Sequence, residues 1–165
     1  EIITCDWSSD VCSSDLDDWG SQRSMLFSPR MWREMIYPNL KAVADFVHAR
    51  GALVSLHSDG NIVAALDGLT EIGIDLLHPW QESAGMSYDL YLEKYQNRFA
   101  IMGGLCVQTT LGFQNYERLE REIRRVFGLL RGKRWVLCTT HFVQSHCTLD
   151  ELAFAYDLCY KLARE

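Results

Sequence analysis

Four short, dominantly apolar runs alternate along this chain with segments of helical periodicity, and that alternation narrows the choice of fold more than any other feature. The runs cover residues 52–56, 74–77, 99–102 and 135–139. Each is too short for a buried helix and is closed by glycine, proline or a polar side chain, so each reads as a strand. Between them, residues 62–72, 88–96 and 115–130 repeat apolar side chains at helical intervals, which gives each segment one apolar face. A first helix, 30–50, places Met31, Met35, Ile36, Leu40, Val43, Ala44 and Val47 at helical spacing. Ser28-Pro29 supplies its N-cap and first-turn proline, and Gly51 its stop. Pro38 lies inside it and is expected to kink it or to mark its first turns. Thr148-Leu-Asp-Glu151 has the spacing of a capping box and opens a last helix through Leu162. The order α, β, α, β, α, β, α, β, α predicts an α/β fold with a parallel sheet covered by helices. Four such units make half of an eight-stranded (β/α)8 TIM barrel.

Polar side chains collect at the ends of two of these strands. Leu53-Val-Ser-Leu runs into His57-Ser-Asp59-Gly-Asn61, and Trp135-Val-Leu-Cys-Thr-Thr runs into His141. In parallel α/β folds the carboxyl ends of the strands are where ligand chemistry sits. His57, Asp59 and His141 are therefore a candidate metal set. Two imidazoles and a carboxylate suit zinc with an open position, or iron, manganese or cobalt. Each residue also has a plainer reading. His57 could be a half-buried histidine bonded to a backbone carbonyl, and Asp59 could cap the helix that begins near Ile62, with Asn61 as competitor. His146 and Cys147 precede the capping box and are expected to pack there. Cys138 and Cys159 fall on apolar faces and are expected in the core, and Cys106 reads as a small buried hydrophobe. The charge run 117–125 reads as a solvated helix face.

Composition removes several classes of partner. The 165 residues carry a formal charge of −6, and no basic patch of the kind nucleic acid needs is present. No apolar run approaches the roughly 20 residues of a membrane span. The first sixteen residues have neither helical nor strand period, and 6–16 reads as the conceptual translation of a sequencing-adapter oligonucleotide. That stretch is set aside, which leaves 17–165 as the native protein. Outside it the cysteines are Cys106, Cys138, Cys147 and Cys159. They have no paired spacing and follow no secretion signal, so a reducing cytoplasm is the expected setting. The native part then starts abruptly at Asp17, as a fragment would.

The ordered motifs Asp17-Asp-Trp-Gly-Ser-Gln22, Ser28-Pro29, His48-Ala-Arg-Gly51, His57-Ser-Asp-Gly-Asn61, Glu71-Ile-Gly-Ile-Asp75, His78-Pro79 and Met102-Gly-Gly104 resemble the C-terminal half of the uroporphyrinogen decarboxylase superfamily. The resemblance covers 17–165 and implies a (β/α)8 barrel whose N-terminal half is missing from this chain. It implies one of two chemistries. One is metal-dependent methyl transfer, using a divalent metal such as zinc and a corrinoid carried by a partner protein. The other is cofactor-free decarboxylation of uroporphyrinogen, a step of porphyrin biosynthesis. Relatives of the first kind carry His-x-Cys where this chain has His57-Ser-Asp59, and a cysteine where it has His141. Relatives of the second kind place a histidine in the position of His141. The resemblance implies catalytic roles for His141, Asp18 and Gln22. It also implies that Asp17 binds a small-molecule substrate. His78, before a proline at a strand end, and Gln81 and Gln108, as neutral hydrogen-bonding groups for an oxygen-rich substrate, are expected to join it from their own positions. The leading expectation is methyltransferase-like, with decarboxylation as the alternative and a non-catalytic small-molecule-binding barrel as the second.

Overall fold

The structure is a computed structural model that describes residues 18–165; the 1–16 segment and Asp17 lie outside them. Its element order is the one the alternation predicts. A helix over 29–48 (α1) leads to strand Ser55–His57 (β1). Helix Leu66–Ile72 (α2) leads to strand Leu76–His78 (β2), and a helix over 88–95 (α3) to strand Ala100–Leu105 (β3). Helix Tyr116–Leu130 (α4), strand Trp135–Thr139 (β4) and helix Leu149–Leu162 (α5) follow. The four strands form one parallel sheet in the order β1-β2-β3-β4. Strands laid down in sequential order with right-handed crossovers put every helix on the same face, which is the arrangement of a partial TIM barrel.

Local chemistry accounts for the details. Ser28 caps α1 by accepting the Met31 N–H through its side chain. Pro38 neither breaks nor ends this helix. The turn before it, Trp32–Ile36, is π-helical, and the Tyr37 N–H reaches Trp32 O. A proline cannot donate to the carbonyl four residues back and its ring crowds that carbonyl; one wide turn absorbs both effects. The acid in the second apolar run is also explained. Asp75 Oδ2 accepts the Val54 N–H at 2.8 Å and faces His48 Nε2 at 2.8 Å, so it ties α1 and β1 to the start of β2.

Two boundaries differ from the sequence expectation. The first strand is displaced toward its carboxyl end, because His57 pairs with His78 and the Ser58 N–H continues the ladder to His78 O at 2.9 Å. The box at Thr148 is only half formed. Thr148 Oγ1 accepts the Glu151 N–H at 3.2 Å, but the fully buried Glu151 carboxylate turns away and accepts from Gly112 N and Gln114 N at 3.2 and 2.8 Å. It fastens the loop after β3 to α5 instead of closing the cap.

Two clusters of buried apolar side chains lie between the sheet and its helices. The larger joins α1, α2, α3 and the first three strands and includes Trp32, Leu69, Leu77, Trp80, Tyr91 and Phe99. The smaller joins the end of β3 to α4 and α5 through Leu105, Leu119, Ile123 and Leu158. The charged face of α4 is solvated, as expected, with the i,i+4 pair Glu120–Arg124 at 2.8 Å. Arg125 departs from that reading by reaching across to Glu82 as well as Glu122. Among the described residues no helix is long and apolar enough to cross a membrane.

Candidate functional site

The carboxyl ends of the strands surround a cavity of about 530 Å³, lined by Asp18, His57, Asp59, His78, Met102, Cys138, Thr139, His141, Phe142 and Val143. Every strand contributes. β1 and β2 end on His57 and His78, β3 offers Met102, and β4 offers Cys138 and Thr139 before the loop that carries His141.

Asp18 and Asp59 are set by two interlocked loops. Trp19 N donates to the buried Ser58 Oγ at 2.9 Å, and Asn61 N to Ser21 O at 2.8 Å. At the crossing, Gly20 and Gly60 meet backbone to backbone. A Cβ on Gly60, whose φ is +79°, would lie 2.6 Å from Gly20 C and 2.6 Å from Ser21 O. This approach leaves the Asp59 N–H donating to Asp18 Oδ1 at 2.8 Å. Asn61 Oδ1 accepts the Val63 N–H at 3.1 Å in a turn ahead of the helix, whose N-cap positions Ile62 and Ala65 carry no side-chain cap, and the Asp59 carboxylate is left for the cavity.

One ligand atom each from Asp18, His57 and Asp59 falls in a group whose members all lie within 4.8 Å of one another. His57 Nε2 stands 3.7 Å from Asp18 Oδ1 and 3.9 Å from Asp59 Oδ2. These separations are too long for hydrogen bonds. They are near the roughly 3.3–3.6 Å that tetrahedral bonds of about 2.0–2.2 Å impose between donors on one zinc ion. Asp59 Oδ1 is buried without a hydrogen-bond partner. Burial, and then the charge of Asp18, push the Asp59 carboxyl above its usual value, while His57, His141 and His78 pull it down. A cation between Asp18 Oδ1 and Asp59 Oδ2, beside His57 Nε2, would offset the carboxylate repulsion, so the residues present fit a divalent metal.

The protons on the neighbouring histidines favour the same arrangement. His57 Nδ1 and His78 Nδ1 are 2.8 Å apart, so one donates to the other. Burial, and then His57, push the His78 imidazole below its usual value. A His78 kept neutral in this way is suited to accept the His57 proton at Nδ1. Neutral His57 is then left with its Nε2 lone pair facing the two carboxylates, the tautomer a metal ligand needs.

The remaining expected residues divide. His141 lines the cavity with Nε2 3.5 Å from Asp59 Oδ2, outside the Asp18–His57–Asp59 group. His78 lines the cavity. Gln81 does not, since it is buried and its Oε1 accepts the Gly60 N–H at 2.8 Å, a fastening for the glycine crossing. Gln108 lies in a separate cleft and accepts the Ser83 hydroxyl at 2.9 Å. Gln22 is exposed and away from the cavity, because the loop crossing turns Asp18 inward and carries the chain outward after Ser21. His146 bonds Val107 O at 3.2 Å and packs against Phe113, in keeping with a packing role. Cys138 is corrected from core to cavity wall: β4 leaves it half-buried beside Thr139. Met102, Thr139, Phe142 and Val143 were not singled out from the sequence. Met102 lies within β3, while Thr139, Phe142 and Val143 sit at or just beyond the end of β4, so only these three carry a positional signal.

A parallel four-stranded βα sheet with a cavity at its carboxyl edge is the arrangement of a partial TIM barrel. The uroporphyrinogen decarboxylase (URO-D) family model matches residues 12–162, and the chain belongs to that family. No curated protein matches it significantly. Among solved structures 18 chains match. One is a methyltransferase from Methanosarcina mazei, 19% identical, with a TM-score of 0.67 over 82% of this chain and 38% of that one. The chain thus spans well under half of that protein's length, and at this identity the likeness concerns the fold.

Proposed function

We propose that this chain supplies the metal-holding side of a methyltransferase-like enzyme of the URO-D family that moves a methyl group between a corrinoid and a small acceptor. The observation that carries the reading is the group formed by Asp18, His57 and Asp59. These residues would hold the ion, with His141 beside them. A divalent metal, zinc in the first instance, would supply Lewis-acid charge that activates a thiol or oxygen of the acceptor.

The chain's own residues do the rest. His78 holds the His57 ring so that Nε2 faces the carboxylates. Met102, Phe142 and Val143 give the cavity an apolar wall beside the acceptor. Phe142 is 85% exposed on the loop after β4. A corrinoid carried by a partner protein would approach from that side.

Equilibrium dialysis tests the metal. The intact chain is expected to retain one zinc per molecule. His57→Ala and Asp59→Ala are each expected to weaken retention by at least about tenfold, the lower end for losses around a metal site. A chain that retains no metal yet releases CO2 from uroporphyrinogen would overturn the reading in favour of decarboxylation.

A further inference from the structure

His141 shares the cavity with His57, but the hydrogen bonds around the two rings differ. Gln144 Nε2 lies 2.9 Å from Phe142 O and 2.9 Å from His141 Nδ1. A carbonyl can only accept, so the Gln144 group facing it is the amide NH2, which has two protons to give. One goes to Phe142 O and the other to His141 Nδ1. Turning the amide over would set Oε1 against the Phe142 carbonyl, two acceptors in contact. His141 Nδ1 is also 3.4 Å from Phe142 O, but a proton on Nδ1 would meet the Gln144 N–H head on. Nδ1 is therefore the acceptor, and neutral His141 carries its proton on Nε2, the atom directed at Asp59 Oδ2 and the cavity.

We infer that Gln144 is a positioning residue. It holds His141 as the Nε2–H tautomer, so that His141 offers the cavity a hydrogen-bond donor for an anionic or carbonyl oxygen of the substrate instead of a lone pair for the metal. The two histidines at this strand edge are thereby given opposite tasks by their neighbours. His78 frees the Nε2 lone pair of His57, and Gln144 blocks that of His141. The ion is left with Asp18, His57 and Asp59, and its open side faces an N–H. The substrate class that fits is a small molecule with a carboxylate or carbonyl oxygen placed to meet that N–H while its reacting atom meets the ion. This inference rests on the metal reading for the task of His57. The protonation of His141 stands on its own contacts.

Two measurements on the full chain test it. Ring-labelled histidine 15N spectra, with His141 identified by its loss in His141→Gln, are expected to show Nε2 protonated and Nδ1 bare. The opposite pattern overturns the proposal whether or not metal binds. In cobalt(II) dialysis with visible absorption, His141→Gln keeps a donor near Nε2. It is expected to leave affinity within about twofold and the spectrum unchanged, whereas His57→Ala loses about tenfold or more. Gln144→Glu replaces the amide donor with an acceptor, and is expected to move the His141 proton to Nδ1 and tighten cobalt binding severalfold with a changed spectrum. Loss of cobalt in His141→Gln as large as in His57→Ala overturns the proposal while leaving the metal reading intact. Failure of the unsubstituted chain to bind any cobalt overturns the metal reading alone.

Discussion

Cys138 places a thiol in the wall of the metal-competent cavity, where a nucleophile or a sulfur ligand would be welcome, yet its surroundings keep it inert. Burial pushes its thiol up to about 11, and that of Cys159 likewise to about 11, from an ordinary 9.0. Thiolate is the reactive and metal-binding form, so neither contributes one near neutrality. Both folded values lie above the unfolded one. Their contribution to stability is thus complete below about pH 9 and is lost as the pH rises through about 11. Urea midpoints should fall across that window. Tyr91 and Tyr95, raised from 10.0 to about 12, extend the loss upward. The Cys138→Ala, Cys159→Ala double variant should therefore flatten only the lower part of the decline, and an unchanged slope would show that these thiols are not protected by the fold.

At the scale of elements, the decisive contact is the crossing of two loops at Gly20 and Gly60. Gly51→Ala offers an internal comparison. That residue also has positive φ, +74°, but an added Cβ there has nothing within 4 Å. It should cost only the left-handed strain of about 1–2 kcal/mol. Gly60→Ala adds a backbone collision to the same strain, so its denaturation midpoint should reveal a loss larger by at least about 1 kcal/mol. It alone should also weaken zinc binding, by separating Asp18 from Asp59. Equal losses in the two variants, with zinc retained, would mean that the crossing does not set the site.

The same crossing marks where the sequence stops being legible. The element order could be read because each strand and helix announces itself by its own periodicity and punctuation. His57 and Asp59 could be read because a polar pair closing an apolar run is a local pattern. Asp18 entered only through the family resemblance, since nothing within 18–25 indicates which loop it will meet. Glu151 shows the limit more sharply. Thr148 to Glu151 has capping-box spacing, and Thr148 does cap, but the carboxylate's partners are 39 and 37 residues away. Gln81 was taken by a distant backbone N–H in the same way. Local spacing states what a side chain can do, and tertiary contacts decide which option it takes.

The whole molecule presents a sheet that is open on both sides. Among the described residues β1 and β4 are outer strands, each paired along one edge only. A complete eight-stranded barrel has no such edges, and an unpaired strand is a template for another chain. The two edges are not equivalent. β1 has three residues and β4 five, and β4 carries Val136 at 46% exposure and is followed by Phe142 and Val143 at 85% and 48%. Self-association of this chain should therefore run through β4. Sedimentation is expected to show a mass that rises with concentration, and Val136→Lys should shift the distribution toward monomer, because a charge on an outer strand resists pairing. A chain that remains monomeric at every concentration would place some other covering over β4, and an association unaffected by Val136→Lys would move the contact to β1 or to the exposed Leu53 before it.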